Sequence, residues 1–300
     1  MSQLTGTIDD FGMDSGSLAG SLPVRLAAMR AAGFSQAMLS ARDLVEHPQG
    51  VDAALDVVRS SGLRASGLRV QRGFEGLAGP SHAYLTGVAK SMLELCAKAG
   101  ADTLVCTSTV AAGRYGDDEA LLRDLRKLAM LAVPLGIRIA CEALSWGRGA
   151  TGFPLAWDIV SRADVPNLGL GLDLLQMLDT DTDTARGDLD LLDAQKVFVV
   201  QLADMMDGSA AATGTAAAME PPIHVFPGEG SRSDALAGLV RHLDRLGFRG
   251  DYSFDVVNVD YRQMPPAAVA LRGLRAAQWL GEDVLRRSVP LPGRMRLRRP

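Results

Sequence analysis

One punctuation mark recurs from end to end of this sequence: an amphipathic stretch closes on glycine, and a short apolar run begins within a few residues. It stands at Ala31-Ala32-Gly33-Phe34, Ser60-Ser61-Gly62-Leu63, Lys98-Ala99-Gly100-Ala101, Pro134-Leu135-Gly136-Ile137 and Arg245-Leu246-Gly247-Phe248. Glycine just past a helix accepts the left-handed conformation that caps it. A strand starting directly afterwards is the second half of a β/α unit. Five such joints in one chain point to a repeated β/α architecture.

Apolar runs then place strands at Leu4–Ile8, Ala37–Ser40, Ala65–Val70, Thr103–Cys106, Arg138–Cys141, Leu168–Leu172, Val197–Val200 and Tyr252–Phe254. Helical spacing falls between them: Leu22–Ala32, Val51–Ser60, the set Leu85, Val88, Met92, Leu95 and Cys96, and the set Leu121, Leu125, Leu128 and Ala132. Phe153–Arg162, a weak segment at Thr184–Leu192, Ser233–Leu246 and Pro266–Leu280 complete the series. Eight alternations favour an α/β fold of the (β/α)8 barrel type over a doubly wound sheet. The doubly wound form wants a glycine-rich phosphate loop after its first strand; Gly12-Met13-Asp14-Ser15-Gly16 is not one, and no Walker A pattern occurs. With no composition break to divide it, the sequence reads as one barrel over residues 1–285 and a basic, proline-containing tail over 286–300. Arg294, Arg296, Arg298 and Arg299 read as part of a solvated tail.

A hydrophobic fraction of 47% over 300 residues supplies ample core. The net charge of −4 argues against nucleic acid or an anionic membrane as partner, leaving a small molecule. Cys96, Cys106 and Cys141 lack CxxC spacing and read as buried thiols. No apolar run reaches membrane-spanning length and no secretory leader pattern opens the chain. The expected setting is a reducing cytoplasm, with homo-oligomer formation left open.

Four strand candidates end in an oxygen-bearing side chain: Glu142, Asp173, Gln201 and Asp255. In a parallel barrel the active face lies at the C-terminal strand ends, and neighbouring strands are ~4.8 Å apart, so four such groups on consecutive strands can converge. Three carboxylates and an amide suit one hard divalent ion, Mg2+ or Mn2+ with Co2+ as a further option, better than zinc or copper. Taken singly each has a plainer reading: Asp173 as the N-cap of the next helix, Gln201 bonded to a loop, Asp204 capping a turn. The metal reading rests on all four falling in register.

The segments Glu142-Ala143-Leu144-Ser145-Trp146-Gly147-Arg148, Pro166-Asn167-Leu168-Gly169 leading to Leu172-Asp173, Val200-Gln201-Leu202-Ala203-Asp204 and Phe226-Pro227-Gly228-Glu229-Gly230, with Arg72-Gly73-Phe74-Glu75-Gly76 upstream, carry a resemblance. The sequence resembles the xylose-isomerase-like barrel superfamily, and within it the bacterial 3-dehydroshikimate dehydratases. The resemblance implies a (β/α)8 barrel, a divalent metal on Glu142, Asp173, Gln201 and Asp255, and dehydration of 3-dehydroshikimate to protocatechuate. It implies substrate contacts for Arg72 and Arg148, with Trp146 as a pocket wall or a packing residue and Asp204 beside the substrate. Three positions depart from that family: Asp255 stands where it has Glu, a reach shorter by about 1.5 Å; Gln176 stands where it commonly has His; His224 stands where it has Arg. Gln176 cannot shuttle a proton as imidazole does, so His224 and a ligating carboxylate such as Glu142 are the candidate bases.

These readings converge on a metal-dependent lyase acting on a small cyclic polyhydroxy carbonyl acid. Within the same superfamily a sugar or inosose isomerase, epimerase or dehydratase is the first rival, and a barrel that binds metal or ligand without turnover the second. Abasic-site DNA repair, also found in the superfamily, would need a histidine-rich metal centre and a basic groove, which four scattered histidines in an acidic chain do not supply. His47, His82 and His242 read as structural or solvated. The Ala/Gly/Thr/Ser-rich stretch Met206–Glu220 reads equally as a tolerated insertion or a cover over the site.

Overall fold

The computed structural model describes residues 8–70, 74, 79–107, 118–142, 152–178, 182–206 and 223–287. The chain opens with β1 (Phe11–Asp14), α1 (Leu22–Ala32), β2 (Gln36–Ser40), a short α2 (Ala41–Val45) and α3 (Val51–Ser60). Next come β3 (Arg64–Val70), α4 (Gly79–Lys98), β4 (Thr103–Thr107), α5 (Asp118–Ala132), β5 (Arg138–Glu142) and α6 (Gly152–Ala163). The last part holds β6 (Leu168–Asp173), α7 (Leu174–Met177), α8 (Thr182–Asp190), β7 (Val197–Leu202), the two-residue β8 (Asp204–Met205) and β9 (His224–Val225), α9 (Ser233–Arg245), β10 (Asp251–Phe254) and α10 (Pro266–Gln278). Strands β1 to β7 and β10 are parallel neighbours in a closed barrel, sealed where β10 pairs with both β7 and β1. Strands β8 and β9 form a separate antiparallel ribbon. The (β/α)8 architecture expected from the glycine joints is the one found. All five joint glycines have positive φ, between +66° at Gly136 and +109° at Gly33. At the first of them Phe34 N donates to the Met29 carbonyl at 3.1 Å, so the cap itself delivers the chain into β2.

Of the strand expected at Leu4–Ile8, residues 4–7 lie outside the described residues and Ile8 is in a turn. The first described strand of the barrel is Phe11–Asp14, which pattern reading leaves out. The reason is the pleat of a closed barrel, which turns alternate residues to opposite faces. Phe11 and Met13 point outward to the helices, with Phe11 stacked on Tyr252 at 5.1 Å and Met13 lying under Gly273 of α10. Gly12 and Asp14 point inward, so the run carries too little apolar signal to read as a strand.

Inside, the side chains lie in layers. At the N-terminal end Arg64 bonds Asp251 at 2.8–2.9 Å and also reaches Gln36, tying β3, β10 and β2 together. The middle layer is dry: Met38, Val105, Ala140, Phe198 and Val199 form one cluster. Gly67 and Gly171 belong to this layer because a Cβ at either would press on Met38 or on Val199 and Val105. The C-terminal layer is charged and forms the mouth. All three cysteines are free and buried, as expected. No described helix is long and apolar enough to cross a membrane.

Gly169 is the tightest point of the wall. A Cβ there would stand 2.3 Å from the Lys196 carbonyl oxygen and 2.6 Å from the Phe198 ring. Gly169→Ala is expected to cost about 3 kcal/mol in a urea titration, because backbone rather than a movable side chain blocks the methyl. Gly87→Ala on the exposed face of α4, with nothing within 4 Å, is expected to change stability by less than about 1 kcal/mol, and upward.

Candidate functional site

The barrel register carries the inward faces of β5, β6, β7 and β10 into one mouth. Asp173 lies opposite Gln201, Gln201 opposite Ser253, and Glu142 opposite Gly171. Asp255 follows β10, its N–H donating to the Leu202 carbonyl at 3.1 Å, which keeps it in the inward phase set by Ser253. The small Gly171 leaves room for Glu142, whose Cγ would be 3.2 Å from any Cβ there. Glu142 and Gln201 are almost wholly buried, and Gln201 Nε2 donates to Glu142 Oε1. The amide is thus held against the carboxylate, and turning it over would present its oxygen instead.

Asp173 has two tasks. Its Oδ1 caps α7 by accepting from the N–H groups of Leu175 at 3.0 Å and Gln176 at 3.2 Å. Its carboxyl is also pushed up to about 7, first by burial and then by the charge of Asp255, against the pull of the capping bonds and Arg69. The plain N-cap reading therefore applies to this residue, whose carboxyl also feels the charge of Asp255.

Two members of the mouth were not picked out from sequence. Asp14, fully buried at the end of β1, accepts from Gly16 N at 2.7 Å through Oδ1 and pairs with Arg69 Nη2 at 3.0 Å through Oδ2. Arg69, near the end of β3, spreads its guanidinium across Asp14 and both oxygens of Asp255. Burial pushes Asp14 up to about 6 even with Arg69 beside it. The signals existed: an Arg inside the apolar run Ala65–Val70, and an Asp ending Phe11-Gly12-Met13-Asp14. The second is faint because Gly12 interrupts its apolar run. Beside this pair, Ser15 Oγ donates to Asp43 at 2.6 Å and Arg25 holds the same carboxylate at 2.9 Å, fixing the rim next to Asp14.

The other expected site residues are placed differently. Asp204 is buried and engaged by the loop before α9: Oδ1 accepts from Met205 N at 2.8 Å and Arg232 N at 2.9 Å, and Oδ2 from Ser233 Oγ at 2.5 Å. Gly230 must be glycine because a Cβ would lie 2.5 Å from the Asp204 carboxyl carbon. Asp204 is thus a latch for the Phe-Pro-Gly-Glu-Gly loop, not a group open to a substrate. Gln176 is exposed on α7, away from the buried layer. His224 sits half-buried on β9, paired to Met205, its carbonyl accepting from Asn258 Nδ2 at 2.7 Å. Arg72, Trp146 and Arg148 lie outside the described residues, as do 207–220 of the Met206–Glu220 stretch and the tail from 288.

In kind, the donors fit a hard divalent cation: they are all oxygen, and Asp173 holds a raised carboxyl that a cation would relieve. In arrangement, one donor is already committed. Among the described residues no three His, Cys, Asp or Glu side chains close on one point, since the partner of Glu142 is an amide and Asp255 is held by Arg69.

Residues 26–281 match the family model described as xylose isomerase-like TIM barrel. A 3-dehydroshikimate dehydratase of Pseudomonas aeruginosa is 35% identical over 283 residues, 91% of this chain and 42% of the relative. The chain spans about two-fifths of the length of the curated relatives it matches. A xylose isomerase-like TIM barrel/4-hydroxyphenylpyruvate dioxygenase fusion protein superposes with a TM-score of 0.79 at 29% identity, over 92% of this chain and 43% of the fusion. The IolI protein, solved with a zinc atom bound, superposes with a TM-score of 0.70 at 19% identity, over 92% of this chain and 98% of its own.

Two outcomes follow from the geometry. A carboxyl whose folded pKa is raised contributes stability that is full below its unfolded value and lost as pH rises through the folded value. In chelator, the Asp173 contribution should therefore disappear between about pH 4 and about pH 7, a loss of roughly 4 kcal/mol by linkage. Asp173→Asn, which keeps a capping oxygen, should flatten that part of a stability–pH profile. Asp204→Ala should lower stability by about 3 kcal/mol in denaturant titration, because it strands the backbone N–H groups of Met205 and Arg232.

Proposed function

Because the chain belongs to the xylose isomerase-like TIM barrel family, we propose that it is a divalent-metal-dependent lyase that dehydrates a small cyclic polyhydroxy carbonyl acid, 3-dehydroshikimate, to protocatechuate. The observation that carries this reading is the inward-facing set at the strand ends, with Glu142 bonded to Gln201 and Asp173 across the β6–β7 register from that same Gln201. The Pseudomonas aeruginosa relative, named for this dehydration, adds support over 91% of the chain.

Glu142, Asp173 and Gln201 would hold the ion, with Asp255 as the fourth donor of the set. When bound, a divalent ion supplies Lewis-acid polarisation of the carbonyl next to the acidic C–H. Arg72 would hold the substrate carboxylate through a charge-assisted fork, with Arg148 at the ring hydroxyls and Trp146 as a wall. Glu142 or His224 takes the α-proton; the β-hydroxyl leaves with a proton as one water, and the remaining ring tautomerises to the aromatic diol. The buried setting of Glu142 keeps bulk water from competing for that proton.

The test is direct. Metal-stripped chain is mixed with 3-dehydroshikimate and Mg2+ or Mn2+, and protocatechuate absorbance is followed. Product should form with metal, stop with chelator, and fall by about 100-fold or more in kcat for Glu142→Gln. No product with any divalent metal would overturn the proposal, and turnover of a neutral ketose in its place would move the site to epimerase chemistry.

A further inference from the structure

Arg69 is an unusual tenant of a cation site. Its side chain is 12% exposed and comes from β3, with β2 and β1 standing between it and β10, so its guanidinium reaches across the mouth to Asp255. Nη1 and Nη2 each donate to one oxygen of Asp255, the latter at 3.1 Å, and Nη2 also meets Asp14 Oδ2 at 3.0 Å. A guanidinium does not give up its proton under any ordinary condition. It therefore stands as a permanent positive charge bonded to one of the four proposed donors, with the field of Glu142 also acting on it.

We propose that Arg69 is a positioning residue that sets the number of donors available to a divalent ion. While its fork spans Asp14 and Asp255, the mouth offers three donors, Glu142, Asp173 and Gln201, and Asp255 is withheld. The inference rests on the metal-site reading above and adds a competitor to it. Two features support withholding rather than sharing. Both Asp255 oxygens are engaged by the same planar group, which is the geometry that carboxylate–arginine pairs hold most firmly. Asp14 anchors the far side of the fork and is itself pinned by Gly16 N, so Arg69 cannot follow Asp255 toward an ion without leaving a buried carboxylate behind.

Calorimetric titration of the metal-stripped full chain with MnCl2 tests this in five forms: native, Arg69→Met, Asp255→Asn, the double variant Arg69→Met/Asp255→Asn, and Asp173→Asn as a ligand control. Arg69→Met should bind Mn2+ about tenfold or more tighter, because Asp255 is released to the ion and a like charge is removed. Asp255→Asn alone should stay within about twofold of native, and the double variant should lose the gain of Arg69→Met, a coupling that a purely structural role would not produce. Asp173→Asn should weaken binding by about tenfold or more. Should Arg69→Met not fold, Asp255→Asn against Asp173→Asn still decides, since it leaves Arg69 in place. Loss of affinity in Asp255→Asn as large as in Asp173→Asn overturns the role given to Arg69 and leaves the lyase reading standing, as does an Arg69→Met chain with native affinity. Binding by Arg69→Met but not by the native chain supports Arg69 as the competitor and overturns the lyase reading for the native sequence. Binding by neither overturns both.

Discussion

A carboxyl group taken out of water must find positive charge, accept hydrogen bonds or keep its proton, and the mouth of this barrel uses all three remedies at once. Asp14 and Asp255 share Arg69, Glu142 takes the Gln201 amide, and Asp173 leans on the N-terminus of α7 while its proton affinity rises. Each remedy depends on a strand ending where it does and facing inward. The fold is consistent with the site because the same pleat that sends Phe11, Met13, Tyr252 and Phe254 out to the helices sends the polar set in.

Much of this was legible beforehand, and for identifiable reasons. A glycine between an amphipathic run and an apolar run is a local signal, and all five of its occurrences proved to be left-handed caps. Glu142, Asp173 and Gln201 could be read because long apolar stretches run straight into them. The polar half of a barrel wall is harder. In β1 every second residue is Gly or Asp, so the strand loses its apolar signature where it helps to build the mouth. Arg69 is hidden for the opposite reason: its neighbours are apolar enough to mark the strand, and nothing in the run shows that its charge faces into the barrel.

Motif resemblance and geometry part company at Asp204 and the Phe-Pro-Gly-Glu-Gly loop. Asp204 was expected beside the substrate or capping a turn; it instead meets this loop, through Gly230 against its carboxyl and Ser233 bonded to it. Their bond is architectural. Glu229 extends it by accepting from the Tyr261 hydroxyl at 2.6 Å and pairing with Arg272, so one acidic loop residue ties the start of α9 to α10. Only coordinates reveal whether the partner of such a residue is a ligand or another loop.

The dry middle layer of the barrel has a consequence of its own. Met38, Val105, Ala140 and Val199, with the two glycines they fill in for, lie between a charged floor around Arg64 and Asp251 and the charged mouth around Arg69. Such a layer is a septum against protons rather than against fields: its side chains hold no donor or acceptor able to carry a hydrogen-bonded chain from the floor to the mouth. A changed charge in the floor therefore reaches the mouth only as a weakly screened field and through packing, never as a transferred proton along this layer.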